Sequence, residues 1–274
     1  MNSTLSPYPR PAISHFWLAI LIAGLSYSQG CTAPTEPPPT LEALQAGDQL
    51  KQSGRRLIHI PTGVHRLTSK NHRSDKVVLA VHGYKSRGYE WVTSLHQFAK
   101  SKAHVYWLRW DWNQCPASGL KDLQKAIRQI QTENPNIRSM EIFGHSYGGI
   151  ISTMFAQAGP ATLPIQVHAI ASPLAGMGKL KALCKETGID GKSAQANITL
   201  TQWRTQHQLD GAFKDEPTDP QVVKLPGAEI VQLPDTFHGK RLGHNWSVAY
   251  VAEQWLAKEP SSSSATSPRV QPQE

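Results

Sequence analysis

The sequence predicts one α/β domain over residues 55–258, a mostly parallel central sheet with helices on both faces and a small lid insertion. Three observations carry that expectation. Short apolar runs rich in β-branched residues alternate with longer stretches whose apolar residues recur at helical spacing, and parallel strands need such crossover helices. The first clear run is apolar from Val77 to Val81, as in a strand covered on both faces. With 39% hydrophobic and 18% charged residues among 274, the chain has a globular balance that excludes a collagen-like, coiled-coil or wholly disordered protein.

Taken in order, residues 57–60 are expected to open the sheet as one of one or two early strands. The run KVVLAV at 76–81 is the first clear strand. Residues 87–100 follow as a helix with Trp91, Leu95 and Phe98 on one side. HVYWLRW at 104–110 is a second strand. Residues 120–131 carry Leu120, Leu123, Ile127 and Ile130 at helical spacing, and Asn134-Pro135 stops that helix. Strands are then expected at 139–143, 166–171, 198–203 and 228–233, with helices at 147–158 and about 245–258. Between Ser172 and Asn197 lies the lid insertion, which includes Leu174, Met177, Leu180 and Leu183. It has room for one or two short helices, so a small cover over a fairly open pocket is expected.

The two ends read differently from this domain. The apolar stretch 16–25 is too short to cross a hydrocarbon core, which needs about 20 residues. It follows a segment whose only charge is Arg10 and runs into Ser28-Gln29-Gly30-Cys31, the layout of a secretory signal over residues 1–30. The Gly30-Cys31 junction resembles the lipobox of bacterial lipoproteins, with Ser28 at the position usually held by Leu. That resemblance implies lipidation of Cys31 and a lipid-anchored protein of the bacterial cell envelope, the alternatives being a secreted or periplasmic form and an uncleaved anchor. Residues 31–54 open on TAPTEPPPT and read as a Pro-rich tether, and residues 259–274 as a disordered tail. Once Cys31 is set aside for lipid, Cys115 and Cys184 remain, either paired or as two buried thiols. The formal charge of +8 loses only Arg10 with the signal. It favours anionic surfaces but is not gathered into a basic stripe, so nucleic acid is not indicated.

The chemistry sits in Gly144-His145-Ser146-Tyr147-Gly148-Gly149, at the predicted junction of a strand and a helix. In a G-x-S-x-G turn the serine is lifted above the sheet on a strained backbone, and the glycines allow neighbouring backbone to come close. The chain here resembles the α/β-hydrolase superfamily in its lipase and esterase form. The resemblance implies that His82-Gly83 at the end of the first clear strand leads into an oxyanion hole, made by the amides of Tyr84 and Tyr147. His82 and His145 themselves are expected to be structural.

A serine needs a base, and the base a carboxylate to orient it, in the chain order Ser, acid, His for this fold. The first carboxylate after strand 198–203 is Asp210, with Asp215 behind it as the alternative. His244, just before the last helix, is the expected base, with His238 as runner-up. The strand-end aromatics Tyr84, Trp110, Trp112 and Tyr147 belong either to the core or to an apolar pocket. No metal spacing is present and no cofactor is implied. The expectation is therefore a serine hydrolase acting through Ser146, Asp210 and His244 on a small-molecule or lipid ester, held at the membrane by a lipid anchor. An acyltransferase with the same triad and a non-catalytic envelope lipoprotein on this scaffold are the alternatives.

Overall fold

The computed structural model describes residues 38–185 and 188–259. The signal at 1–30, the lipidation candidate Cys31, the Pro-rich run up to residue 37 and the tail from 260 lie outside the described residues.

The elements run α1 (Leu50–His59), β1 (Gly63–Arg66), β2 (Lys76–Val81), α2 (Tyr89–Lys100), β3 (His104–Arg109), α3 (Pro116–Glu133), β4 (Ser139–His145), α4 (Tyr147–Ala158), β5 (Ile165–Ile170), α5 (Gly178–Cys184), β6 (Ile198–Arg204), β7 (Glu229–Gln232), the short pair β8 (Thr236–Phe237) and β9 (Lys240–Arg241), and α6 (Ser247–Lys258). Seven strands make one sheet in the order β1-β3-β2-β4-β5-β6-β7. All neighbours in it are parallel except the edge pair β1 and β3.

The pleat divides the core in two. Val78, Ala80, Val105, Trp107, Phe143 and Ile170 point to the face covered by α1, α2 and α6. Val77, Leu79, Tyr106, Leu108, Ile142 and Val167 point to the face covered by α3 and α4. Because both faces are buried, residues 77–81 of β2 are apolar without interruption, as the sequence indicates. The register also places the site. Val81 pairs with Gly144, His145 with Ile170, and Ile170 with Trp203. The carboxyl ends of β2, β4, β5 and β6 therefore lie side by side, and the loops after them converge, where α/β sheets bind ligands.

Three departures have physical causes. The stretch 57–60 is not a strand: Leu57–His59 closes α1, and β1 comes later. A four-residue run with three apolar side chains cannot fix a period, whereas the helix presses Gly54 against α2, where an added Cβ would lie 2.4 Å from the Tyr89 amide nitrogen. The folded unit also reaches into the stretch assigned to the tether, since Leu41 and Leu44 are buried in the α1–α2–α6 core. The described part of the insertion holds one short helix, α5, but none of its described residues lines the cavity at Ser146. Leu180 and Ile189 pack instead with Ile150 and Met154 of α4, and Cys184 forms a disulfide with Cys115 at the start of α3. Of the two states open to those cysteines, the paired one is found.

Candidate active site

Ser146 stands between β4 and α4 with φ 54° and ψ −120°, a conformation costly for any residue with a Cβ. Its surroundings enforce it. The Ser146 amide donates to the Ile170 carbonyl at 2.8 Å, and the Ser172 hydroxyl donates to the Ser146 carbonyl at 2.7 Å. Glycines admit the close packing: a Cβ at Gly148 would lie 2.2 Å from the Val81 carbonyl oxygen, and one at Gly83 would lie 2.8 Å from the Ser146 Cβ. The turn after β2 therefore rests directly on the serine.

Asp210 lies just past a 3-10 turn at His207–Leu209, beyond the end of β6, and is fully buried. Its Oδ2 is 3.0 Å from His244 Nδ1 and accepts from the Thr205 hydroxyl at 2.5 Å. Its Oδ1 accepts from the Ala212 amide at 2.8 Å. Burial alone would push this carboxyl up, but His244, Thr205 and the Ala212 amide together hold it below the usual carboxylate range. An ionised Asp210 requires the proton on His244 Nδ1, which leaves Nε2 as the basic nitrogen.

His244 is placed by its own backbone. Its carbonyl accepts from the Ser247 hydroxyl at 2.5 Å and from His145 Nε2 at 3.1 Å. The rings of His145 and His244 lie 4.7 Å apart, and Phe213 meets His244 edge-on at 4.9 Å. Ser146, His145 and His244 line one cavity of about 370 Å³ together with Gly83, Tyr84, Ser86, Tyr89, Glu90 and Asn245.

A seven-stranded, mostly parallel sheet with a strained serine between a central strand and its helix is an α/β-hydrolase arrangement. The fold is α/β-hydrolase-like. No protein-family model matches the sequence, and no curated protein matches it either. Solved structures are similar at a distance. The esterase Pf2001 of Pyrococcus furiosus shares 13% identity over 68% of this chain and 81% of its own, with a TM-score of 0.47. Est1E of Butyrivibrio proteoclasticus, with ferulic acid bound, shares 11% over 72% and 94%, at 0.49. A monoacylglycerol lipase of Paleococcus ferrophilus shares 15% over 72% and 99%, at 0.47.

The structure thus brings Asp210 and His244 into contact and sets Ser146 and Tyr84 on the cavity that His244 lines; Tyr147 begins α4. Asp215 is exposed beside Lys214, and His238 faces Glu253 on the surface. Of the strand-end aromatics only Tyr84 lines the cavity. Trp110 and Tyr147 are buried in the core, and Trp112 packs on the His82 ring, so no apolar pocket forms from them. His82 is structural, as expected: Nε2 accepts from the Trp110 amide and Nδ1–H donates to the Gly83 carbonyl. Burial pushes its imidazole down to about 3, and that of His145 likewise. Three residues escape sequence reasoning altogether: Thr205, which holds Asp210; Ser172, which holds the elbow; and Glu90, buried in the cavity wall. Nothing in their local sequence marks them.

Proposed function

We propose that the protein is a serine hydrolase that cleaves carboxylic esters. The observation that carries this reading is the His244–Asp210 pair opening onto the same cavity as the strained Ser146. Ser146 Oγ attacks the ester carbonyl carbon while its proton passes to His244 Nε2. Asp210 stays ionised and stabilises the imidazolium through Nδ1–H. The tetrahedral oxyanion is bound by the amides of Tyr84 and Tyr147, two donors worth several kcal/mol of barrier. The carbon–alkoxy bond then breaks, the alcohol departs with the proton from His244, and water repeats the sequence on the acyl-enzyme.

The Cys115–Cys184 disulfide supports an oxidising compartment, which accords with an exported protein lipidated at Cys31 and anchored in the bacterial envelope. Hydrolysis of p-nitrophenyl acetate by the wild type and its loss in Ser146→Ala, with unchanged circular dichroism, test the enzyme reading. Labelling of Ser146 by a fluorophosphonate tests its nucleophilicity. Equal turnover by Ser146→Ala, or no label on the folded protein, would overturn the assignment. Incorporation of labelled palmitate that disappears in Cys31→Ser tests the anchor.

A further inference from the structure

Glu90 is a carboxyl that the mechanism does not use. It sits in the first turn of α2, is 9% exposed, and belongs to the wall of the cavity that Ser146 and His244 share. Its two oxygens differ. The Ser86 hydroxyl oxygen accepts the Gly88 amide, so the hydroxyl proton is free to donate, and it goes to Glu90 Oε1. Glu90 Oε2 is buried with no hydrogen-bond partner among the described residues. A buried carboxyl oxygen left unpaired destabilises the protein, a cost that a bound hydrogen-bonding group removes.

The side of the cavity is informative as well. A departing alcohol takes its proton from His244 and must lie against that ring, and Glu90 lines the same cavity as His244. The remaining wall offers Ser86, Tyr89 and Asn245, with no aliphatic side chain among the lining residues. Lys85 and Arg87 stand exposed at the same cavity and disfavour a cationic ligand. Resting on the serine-hydrolase reading, we infer that Glu90 is a specificity residue for the leaving group, and that the substrates are esters of polyols, whose free hydroxyl bonds to Glu90 Oε2. Burial also pushes the Glu90 carboxyl up, against the Ser86 hydroxyl that favours the ionised form.

The test compares glycerol 1-monoacetate with ethyl acetate, which share the acetyl group and differ in the hydroxyls of the leaving alcohol. Rates are followed by pH-stat for the wild type, Glu90→Gln and Glu90→Met, with circular dichroism melting as the check on folding. The wild type should prefer the glycerol ester by about tenfold or more in kcat/KM. That ratio should collapse in Glu90→Met, chiefly through KM, and fall less in Glu90→Gln, which keeps the Ser86 contact. A wild-type ratio near unity, or the same ratio in all three proteins, overturns the inference.

Inertness of the wild type toward both esters would sink the hydrolase reading instead. In that event binding of glycerol 1-monoacetate to Ser146→Ala, read by NMR shift changes, still decides the pocket. Weaker binding by Ser146→Ala/Glu90→Met supports it, and equal or absent binding overturns it.

Discussion

Among the described residues are two histidine–carboxylate pairs of nearly equal geometry, each with a buried carboxylate. His244 Nδ1 meets Asp210 Oδ2 at 3.0 Å, and His168 Nε2 meets Glu141 Oε2 at 2.8 Å. Distance does not separate them. The second nitrogen of each ring does. His168 Nδ1 accepts the indole N–H of Trp203 at 3.1 Å, and its ring stacks on Phe143 at 4.2 Å, so every polar atom of that imidazole is engaged inside the sheet's α6 face. His244 leaves Nε2 for the cavity it shares with Ser146. A histidine–carboxylate pair becomes chemistry only where its other nitrogen is left for a substrate or nucleophile.

Removing one ring at a time separates the two pairs by experiment. His244→Gln should lower kcat/KM on p-nitrophenyl acetate by about 10⁴-fold while leaving the melting curve nearly in place. His168→Leu should do the reverse. It strands Glu141 in the sheet, at a cost of about 3 kcal/mol in urea unfolding, with activity per folded molecule close to wild type. The double variant His168→Leu/Glu141→Leu should recover much of that stability, because it removes the stranded carboxylate as well. A large activity loss in His168→Leu at intact stability would mean that the two pairs are not separable.

That separation explains what the sequence could and could not disclose. The sheet was legible because β2 to β6 are covered on both faces, and their apolar runs record that burial directly. The elbow was legible because Gly148 faces the Val81 carbonyl at a distance no side chain tolerates, so a structural demand leaves a glycine in the string. Asp210 and His244, which the structure brings into contact, are the pair that chain order picks once the serine is placed. Residues 57–60 were misread since α1 offers too few apolar positions to set a period. Glu90, Thr205 and Ser172 were invisible for another reason. Their roles depend on contacts across 5 to 26 residues or across a cavity, which leave no local pattern.

A pH titration of stability sharpens the same theme through the two neutral histidines beside the site. His82 and His145 have imidazoles pushed down to about 3 by burial, far below the value near 6.5 of an unfolded chain. The native state therefore holds both unprotonated below pH 6.5 while the unfolded state takes up protons. The stability they contribute is fully present above pH 6.5 and is lost as pH falls from there toward 3. Each adds a slope of about 1.4 kcal/mol per pH unit over that window. Replacing His145 by Gln should flatten the acid limb by one such increment. It should also lower kcat, since His145 Nε2–H anchors the His244 carbonyl. An unchanged slope would show that His145 is protonated in the folded protein.

The smallest effect belongs to the carboxylate of the open pair. Asp210 is held below the usual range against the opposing pull of burial, and Thr205 supplies one of its donors. A lowered folded value contributes stability above an unfolded value of about 3.9, lost as pH falls through the folded value. In Thr205→Val one donor disappears and the folded value moves up toward the unfolded one, so part of that contribution vanishes. The acid-unfolding midpoint should shift to higher pH by a few tenths of a unit. Turnover should fall by about tenfold or less, through kcat, because Asp210 still meets His244 but is less firmly fixed and less strongly ionised. Removal of Thr205 leaves the His168–Glu141 pair untouched, so a loss of stability as large as that of His168→Leu would mean that Asp210 serves the fold rather than the reaction.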